Sequence, residues 1–167
     1  MTILIAILVA AGAQPVKNVI FFLGDGMGPT AVTAGRIYKA HENGKLSFES
    51  FEHTARIKTF SNDAQTTDSA PSMGAYMTGI KANNDVLSMT PDTQADMNLC
   101  NASNGSAVPT LLELAIARGK GTGFVTTTEA THATPAATYA HICHRDLAYR
   151  IARSTATASA ARTSSTW

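Results

Sequence analysis

The sequence has little charge and no apolar run long enough to cross a membrane. Charged side chains make up only 15% of the 167 residues, and 13 basic residues nearly balance 12 acidic ones. The basic excess that is typical of nucleic-acid-binding proteins is absent, so we expect no nucleic-acid partner. The apolar run at residues 3–10 is too short to span a bilayer. The length is sufficient for one globular domain with a core.

Cysteine is also scarce, with Cys100 and Cys143 as the two residues of this type. Their spacing is compatible with a disulfide, with metal binding or with two free thiols, and it does not decide among these alternatives.

The two ends of the chain differ in composition from the rest. Residues 2–13 carry no charge and end in Ala11-Gly12-Ala13, which matches the A-x-A cleavage pattern of a secretory signal. We therefore predict a signal peptide at residues 1–13 and a secreted or periplasmic location, with membrane association as an alternative. A buried strand is the other explanation of this run. Residues 153–167 are rich in Ala, Ser and Thr and are predicted to form a disordered tail.

Strand-like and helix-like segments alternate between these ends. Residues 16–23 and 121–128 predict strands, the first of them buried on both faces. Helices are predicted at residues 30–41, 68–79, 109–118 and 134–144. Residues 46–60 indicate a loop leading to an edge strand, and the polar residues 81–107 indicate an excursion on the surface. This alternation predicts an α/β fold with a mostly parallel central sheet flanked by helices.

Asp25 follows the first predicted strand, within Gly24-Asp25-Gly26-Met27-Gly28. Ligands commonly bind at the carboxyl edge of a parallel sheet, and the flanking glycines allow other groups to approach the backbone closely. A carboxylate at this edge indicates a metal ligand. The alternative is an ordinary Asp-Gly turn.

Ser69 lies where a polar loop enters a predicted helix, within the sequence Asp68-Ser69-Ala70. The positive end of a helix attracts anions such as phosphate. A hydroxyl at this position could attack phosphorus once its proton is removed. The alternative is a helix cap, since Asp, Ser and Thr are the usual residues at a helix start.

Further candidates follow the second predicted strand. His132 and Thr134 occupy its carboxyl-end loop, and Arg145 carries a planar guanidinium that matches two phosphoryl oxygens. A solvated cation at a helix end is the alternative for Arg145. His141 and His144 are three residues apart on a predicted helix and could form a metal pair, but we favour two structural histidines.

Taken together, these motifs resemble the alkaline phosphatase family. They occur in the order and with the approximate intervals of that family: Asp25 within its glycines, Thr67-Asp68-Ser69-Ala70, His132-Ala133-Thr134-Pro135-Ala136 and His144-Arg145. The likeness covers residues 17–152. It implies that residues 14–152 are the N-terminal part of an alkaline-phosphatase-like domain, a sandwich of helices around a central sheet.

The resemblance implies metal-dependent hydrolysis of phosphate monoesters through a phosphoserine intermediate. Ser69 would be the nucleophile, and Arg145, oriented by Asp68, would hold the phosphoryl oxygens of the substrate. Phosphate monoesters and inorganic phosphate would be the small-molecule partners. The full-length family is expected to form homodimers.

The resemblance also implies two zinc ions and one magnesium ion. Asp25 would bridge a zinc ion and the magnesium ion, Ser69 would contact metal as the nucleophile, and Thr134 would be a magnesium ligand. His132 stands where family members carry Asp or His, and it would tune the magnesium site. The zinc ligands that the family supplies after the position of Arg145 are missing here. We therefore expect a truncated chain that is incompetent by itself, or a catalytically silent secreted fragment with weak anion or metal binding.

Overall fold

The computed structural model describes residues 17–154. The predicted signal peptide lies outside the described residues, as does the predicted tail apart from residues 153 and 154, which are helical. The chain divides into two compact units, residues 1–44 and residues 45–167. None of the described helices combines the length and the apolar composition that a membrane crossing requires.

The first unit contains one described helix, α1 (Pro29–Ala40), which confirms the helix predicted at residues 30–41. Pro29 lies at the helix start, where its missing N–H leaves no hydrogen bond unmade. Residues 17–23 take an irregular conformation instead of the predicted strand, and Val19 and Phe22 are 78% and 88% exposed. A strand needs ladder hydrogen bonds to a neighbour, and no described segment of this unit provides them.

The second unit contains helices α2 (Ser69–Thr78), α3 (Leu111–Ile116) and α4 (Ala133–Ala136), with 3₁₀ turns at Ser47–Ser50 and Met97–Leu99. Residues 148–154 are also helical. Helix α2 agrees with the prediction for residues 68–79. Asp68 caps its start by accepting the Ala70 N–H at 2.8 Å, and Gly79 ends it with φ 76°, a left-handed conformation that suits glycine.

Helix α3 is confirmed inside the predicted range 109–118, and local chemistry fixes its start. The Thr110 N–H donates to the Glu113 carboxylate at 2.8 Å, and the Glu113 N–H donates to the Thr110 hydroxyl at 3.2 Å. This reciprocal arrangement is a capping box.

Helix α4 is much shorter than the predicted helix at 134–144, and that prediction is wrong beyond Ala136. The chain leaves the helix after Ala137 and reaches Ile142, which forms an antiparallel bridge with Leu87. The two residues exchange N–H to carbonyl bonds of 2.9 and 3.1 Å. Pairing with a distant segment therefore replaces the helix that local composition favours.

The parallel sheet is not confirmed, because the described residues contain only two isolated bridges, Leu87 with Ile142 and Met89 with Ala107. Residues 51–60 and 121–128 form no strand either. The predicted surface excursion at 81–107 is wrong in part, since Val86 and Leu87 are fully buried. Leu87 belongs to the core of the second unit, with Ala70, Met73, Met77, Ala133, Ala136, Ala137, Ala140, Ile142 and Ile151.

Cys100 and Cys143 form a disulfide, which decides among the three alternatives left by their spacing. Their Cα atoms are 5.5 Å apart, a normal separation for a bridged pair. The disulfide ties the segment after the turn Met97–Leu99 to the segment that precedes Arg145.

Candidate active site

The start of α2 is the centre of the candidate site. Ser69 is the first residue of this helix, and the capping role belongs to its neighbour Asp68. One carboxylate oxygen of Asp68 accepts the Ala70 N–H at 2.8 Å, and the other accepts the Asp85 N–H at 3.0 Å. Asp68, and not Ser69, is therefore the capping residue of this helix. The chemical role of Ser69 stays a prediction.

Arg145 joins Asp68 to His132. One terminal nitrogen of its guanidinium lies 3.5 Å from the Asp68 Oδ2, and the other lies 3.5 Å from the His132 Nε2. The side chains of Arg145 and Asp68 are mostly buried, at 22% and 25% exposure. The Arg145 backbone N–H donates to the Asp85 carbonyl at 2.8 Å. The structure thus brings together Asp68, His132 and Arg145, three of the residues singled out in the sequence.

His132 and Thr134 are placed by the start of α4. His132 is the capping residue, and its Nδ1 accepts the Thr134 N–H at 3.4 Å. An open depression of about 480 Å³ lies beside this turn. Its lining includes the side chains or backbone of Thr128, Glu129, Thr131, His132, Arg145 and Asp146. Arg145 therefore lines a depression that is open to solvent.

Asp25 lies in the first unit. It occupies the tight turn between Gly24 and Met27, in which the Met27 N–H donates to the Gly24 carbonyl at 3.2 Å. Gly26 follows with φ 64°, a conformation that glycine adopts without strain. The backbone of this stretch therefore forms the turn that was the alternative explanation of the Asp-Gly pair. The metal-bridging role of Asp25 stays a prediction.

Asp85 is a member of the site that sequence reasoning missed. Hydrogen bonding to the Asp68 side chain, burial and the Asp68 charge raise the pKa of the Asp85 carboxyl, against smaller opposing effects of His144 and Arg145. The His144 Nε2 lies 4.0 Å from the Asp85 Oδ2. The only local signal was the pair Asn84-Asp85, which is typical of turns.

His141 has a structural environment separate from that of His144. Its Nδ1 lies 2.8 Å from the Ser88 carbonyl, and its Nε2 lies 2.9 and 3.0 Å from the two Glu113 carboxylate oxygens. Burial tends to raise the pKa of Glu113, but hydrogen bonds from Thr110 and His141, together with the His141 charge, outweigh it and lower that pKa.

The metal ligands predicted in this chain do not form a zinc site within residues 17–154. No group of three or more His, Cys, Asp or Glu side chains in that range converges as a metal site would require. A catalytic zinc usually has about three protein ligands. Ser69 and Thr134 contribute hydroxyls only, so the donor set of the described residues does not fit zinc.

Known proteins similar to this chain are phosphatases. The alkaline phosphatase family model matches residues 16–166. The tissue-nonspecific alkaline phosphatase isozyme of Felis catus is 44% identical over 137 residues, and that of Homo sapiens is 43% identical over 136 residues. Each alignment covers 78% of this chain and 26% of the relative. The chain therefore spans about a quarter of the length of these curated relatives.

Solved structures of the same kind share the fold. The alkaline phosphatase of the Antarctic bacterium TAB5 matches with a TM-score of 0.60 and 30% identity, over 74% of this chain and 32% of that chain. A TAB5 mutant with magnesium bound in its M3 site matches with a TM-score of 0.65 and 30% identity, over 78% and 34%. The cold-active enzyme of Shewanella sp. gives 0.62 and 28%, over 79% and 32%. The likeness supports an alkaline-phosphatase-like fold for this chain.

Proposed function

The chain belongs to the alkaline phosphatase family, and from this premise we propose that it carries the nucleophile and the phosphoryl-binding arginine of a phosphomonoester hydrolase. One observation carries the proposal above the others. Asp68, which caps the helix that begins with Ser69, lies 3.5 Å from the Arg145 guanidinium. A hydroxyl, a helix start and an arginine fork are the groups that phosphoryl transfer needs.

Arg145 binds two non-bridging oxygens of the phosphoryl group through its planar fork. Asp68 contacts one terminal nitrogen of the guanidinium at 3.5 Å, which limits its motion and orients it. The positive end of α2 adds a favourable field for an anion near its first turn. Together these groups hold the phosphorus atom in reach of Ser69, and this positioning is the contribution of the described residues to the reaction.

The chemical step is an in-line displacement. The Ser69 oxygen forms a bond to phosphorus while the bond from phosphorus to the ester oxygen breaks. The serine proton passes to solvent, and the departing alkoxide takes up a proton from solvent. Water then attacks the phosphoserine, which releases inorganic phosphate and restores the hydroxyl.

The zinc and magnesium ions remain a proposal that rests on the family. Asp25, Ser69 and Thr134 are the proposed ligands that this chain contributes, and His132 is the proposed tuning residue of the magnesium site. Because the described residues do not fit zinc, we derive no step through a metal. This misfit favours a second candidate function, namely anion binding at Arg145 without turnover.

We further propose a secreted or periplasmic location and phosphate monoesters as substrates. The disulfide between Cys100 and Cys143 supports an oxidising compartment, because disulfides persist mainly outside the cytosol. The homodimer is proposed for the full-length family alone.

The two candidate functions are distinguished by one assay. The purified chain is incubated with a chromogenic phosphate monoester, zinc and magnesium, and compared with Ser69→Ala. Ser50→Ala, at an exposed position of the second unit, is the matched control for the same substitution. Turnover that is lost in Ser69→Ala and kept in Ser50→Ala would support hydrolysis. Equal rates in Ser69→Ala and the unsubstituted chain would refute hydrolysis and leave anion binding.

A further inference from the structure

Asp85 lies in a turn whose backbone conformation is unusual for its residue type. The turn runs from Asn83 to Val86, and the Val86 N–H donates to the Asn83 carbonyl at 3.2 Å. Asp85 has φ 68°, in the left-handed region that favours glycine. A residue with a side chain costs about 1 kcal/mol there, although Asp and Asn tolerate the region better than other residues. An aspartate at this point keeps a carboxyl that glycine would not supply.

The backbone of Asp85 binds both members of the Asp68–Arg145 pair. Its N–H donates to the Asp68 Oδ2 at 3.0 Å, and its carbonyl accepts the Arg145 N–H at 2.8 Å. The same Asp68 oxygen lies 3.5 Å from the Arg145 guanidinium. The turn therefore connects the helix that begins with Ser69 to the segment that carries Arg145.

The side chain of Asp85 adds a second carboxyl to this pair. Hydrogen bonding to the Asp68 side chain, burial and the Asp68 charge raise the pKa of the Asp85 carboxyl. The neighbouring positive groups are Arg145 and His144, the latter 4.0 Å from the Asp85 Oδ2. The Asp146 carboxylate faces His144 from the other side, 3.9 Å from its Nδ1. The carboxyls of Asp68 and Asp85 thus both interact electrostatically with the guanidinium of Arg145.

From this arrangement we propose that Asp85 is a positioning residue that holds Asp68 against Arg145 through its backbone and weakens phosphate binding at Arg145 through its carboxylate. This inference rests on the proposed function, because it concerns the strength with which the same arginine holds phosphate. A carboxylate near the guanidinium reduces the positive potential that an incoming phosphate meets. The consequence for an enzyme is faster release of the inorganic phosphate product.

Asp85→Asn separates the two roles. Asn tolerates the left-handed conformation, so the backbone bonds to Asp68 and Arg145 are expected to remain. The charge is removed, and phosphate binding should become tighter by about two- to five-fold, the size expected for one charge acting across several ångströms of partly solvated protein. Asp85→Gly removes the same charge and also relieves the backbone, so the same direction is expected even if Asn distorts the turn.

The experiment is a titration of the full chain with inorganic phosphate, followed by ³¹P NMR at about pH 8, well above the usual pKa of an aspartate. Asp92→Asn is the matched control, because Asp92 is exposed and lies outside this hydrogen-bond network and outside the depression. Arg145→Ala reports whether the binding depends on the arginine. Circular dichroism checks that each variant is folded.

The expected result is tighter binding in Asp85→Asn and Asp85→Gly, no change in Asp92→Asn and loss of binding in Arg145→Ala. The gain should shrink between about 20 mM and about 200 mM salt, because screening weakens a charge effect and leaves a structural effect unchanged. Equal or weaker binding in both Asp85 variants, with Arg145-dependent binding intact, would overturn this inference alone. Absence of Arg145-dependent binding would overturn the proposed phosphate site and this inference with it.

Discussion

The pair formed by Glu113 and His141 makes the stability of the second unit depend on pH. Glu113 lies in α3, and the His141 Nε2 contacts both of its carboxylate oxygens at 2.9 and 3.0 Å. The other ring nitrogen of His141 faces the Ser88 carbonyl at 2.8 Å. The carboxylate and the carbonyl can each accept a hydrogen bond from the imidazole ring. The perturbation we propose is Glu113→Gln, which keeps the shape of the side chain and removes its charge.

The expected loss is about 1 kcal/mol of unfolding free energy near neutral pH. A hydrogen bond to a charged group contributes about 1.5–3 kcal/mol when it is well buried. The Glu113 side chain is 40% exposed and His141 is 18% exposed, so solvent screening reduces this contribution. Gln retains an oxygen that accepts the Thr110 N–H, so the capping box is expected to persist in the variant.

The direction of the pH dependence follows from the lowered pKa of Glu113. A carboxyl with a folded-state pKa below its unfolded value, about 4.3 for Glu, stabilises the fold above that unfolded value. The contribution is lost as the pH falls through the folded-state pKa. The difference between the unsubstituted chain and Glu113→Gln should therefore be about 1 kcal/mol at neutral pH and shrink towards zero in acid.

Urea unfolding followed by far-ultraviolet circular dichroism, from about pH 8 to about pH 3.5, measures this difference. Glu52→Gln at an exposed position is the matched control and should leave the midpoint unchanged at each pH. A double-mutant cycle with His141→Gln should give a coupling of about 0.5–1 kcal/mol at neutral pH. A difference of constant size across the pH range, or a coupling of zero, would refute the assignment of the effect to this ion pair.

Three further predictions concern the core, the disulfide and the turn of Asp85 in the second unit. Leu87→Ala should lower the free energy of unfolding in urea by about 3 kcal/mol, because Leu87 is fully buried. A loss below about 0.5 kcal/mol would instead support a surface position for its segment. The Cys100–Cys143 disulfide closes a loop of sequence separation 43, and its reduction should lower the free energy of unfolding by about 3–4 kcal/mol. An unchanged urea midpoint in reductant would contradict this prediction. Asp85→Ala should be about 1 kcal/mol less stable than Asp85→Gly at φ 68°, and equal thermal midpoints would argue against strain.

Helix starts were predictable from the sequence because capping chemistry is local. Pro29, Asp68 and Thr110 each lie within one residue of the first helical position, and each provides what a helix start requires. No information from elsewhere in the chain was needed. The end of α4 was not predictable, because Ile142 pairs with Leu87, which is 55 positions earlier in the sequence.

The burial of Val86 and Leu87 could not be predicted from the sequence, because their neighbours are mostly polar. The segment 81–107 is rich in Asn, Asp and Ser, and average polarity indicated a surface excursion. Polar side chains of this segment instead form hydrogen bonds with its own backbone. The Asn83 amide donates to the Thr93 carbonyl at 2.8 Å, and the Asn104 amide donates to the Gln94 carbonyl at 2.8 Å. Polar residues that satisfy the backbone of a loop allow a few apolar residues to be buried there.

The sequence singled out Asp68, His132 and Arg145 and predicted that Asp68 orients Arg145, but it gave no indication of Asp85. Resemblance to the family identified Asp68, His132 and Arg145, and the structure places these three side chains in contact. Asp85 was not identified as a site residue, because the sequence alone does not distinguish an aspartate in the left-handed region from one in an ordinary turn. The contact of its N–H with Asp68 spans 17 positions of sequence and depends on how the turn meets α2.

The proposed phosphate binding and the proposed turnover depend on different groups of this chain. The groups proposed for binding, Asp68 and Arg145, belong to one compact unit and are connected to each other through the turn of Asp85. In the proposed reaction, turnover additionally needs activation of Ser69, and the described residues contain no group of three or more His, Cys, Asp or Glu that could hold an activating metal. A substitution at Asp85 should therefore change phosphate affinity even in a preparation that hydrolyses nothing. This separation makes direct phosphate binding a more informative first measurement on the chain than an activity assay.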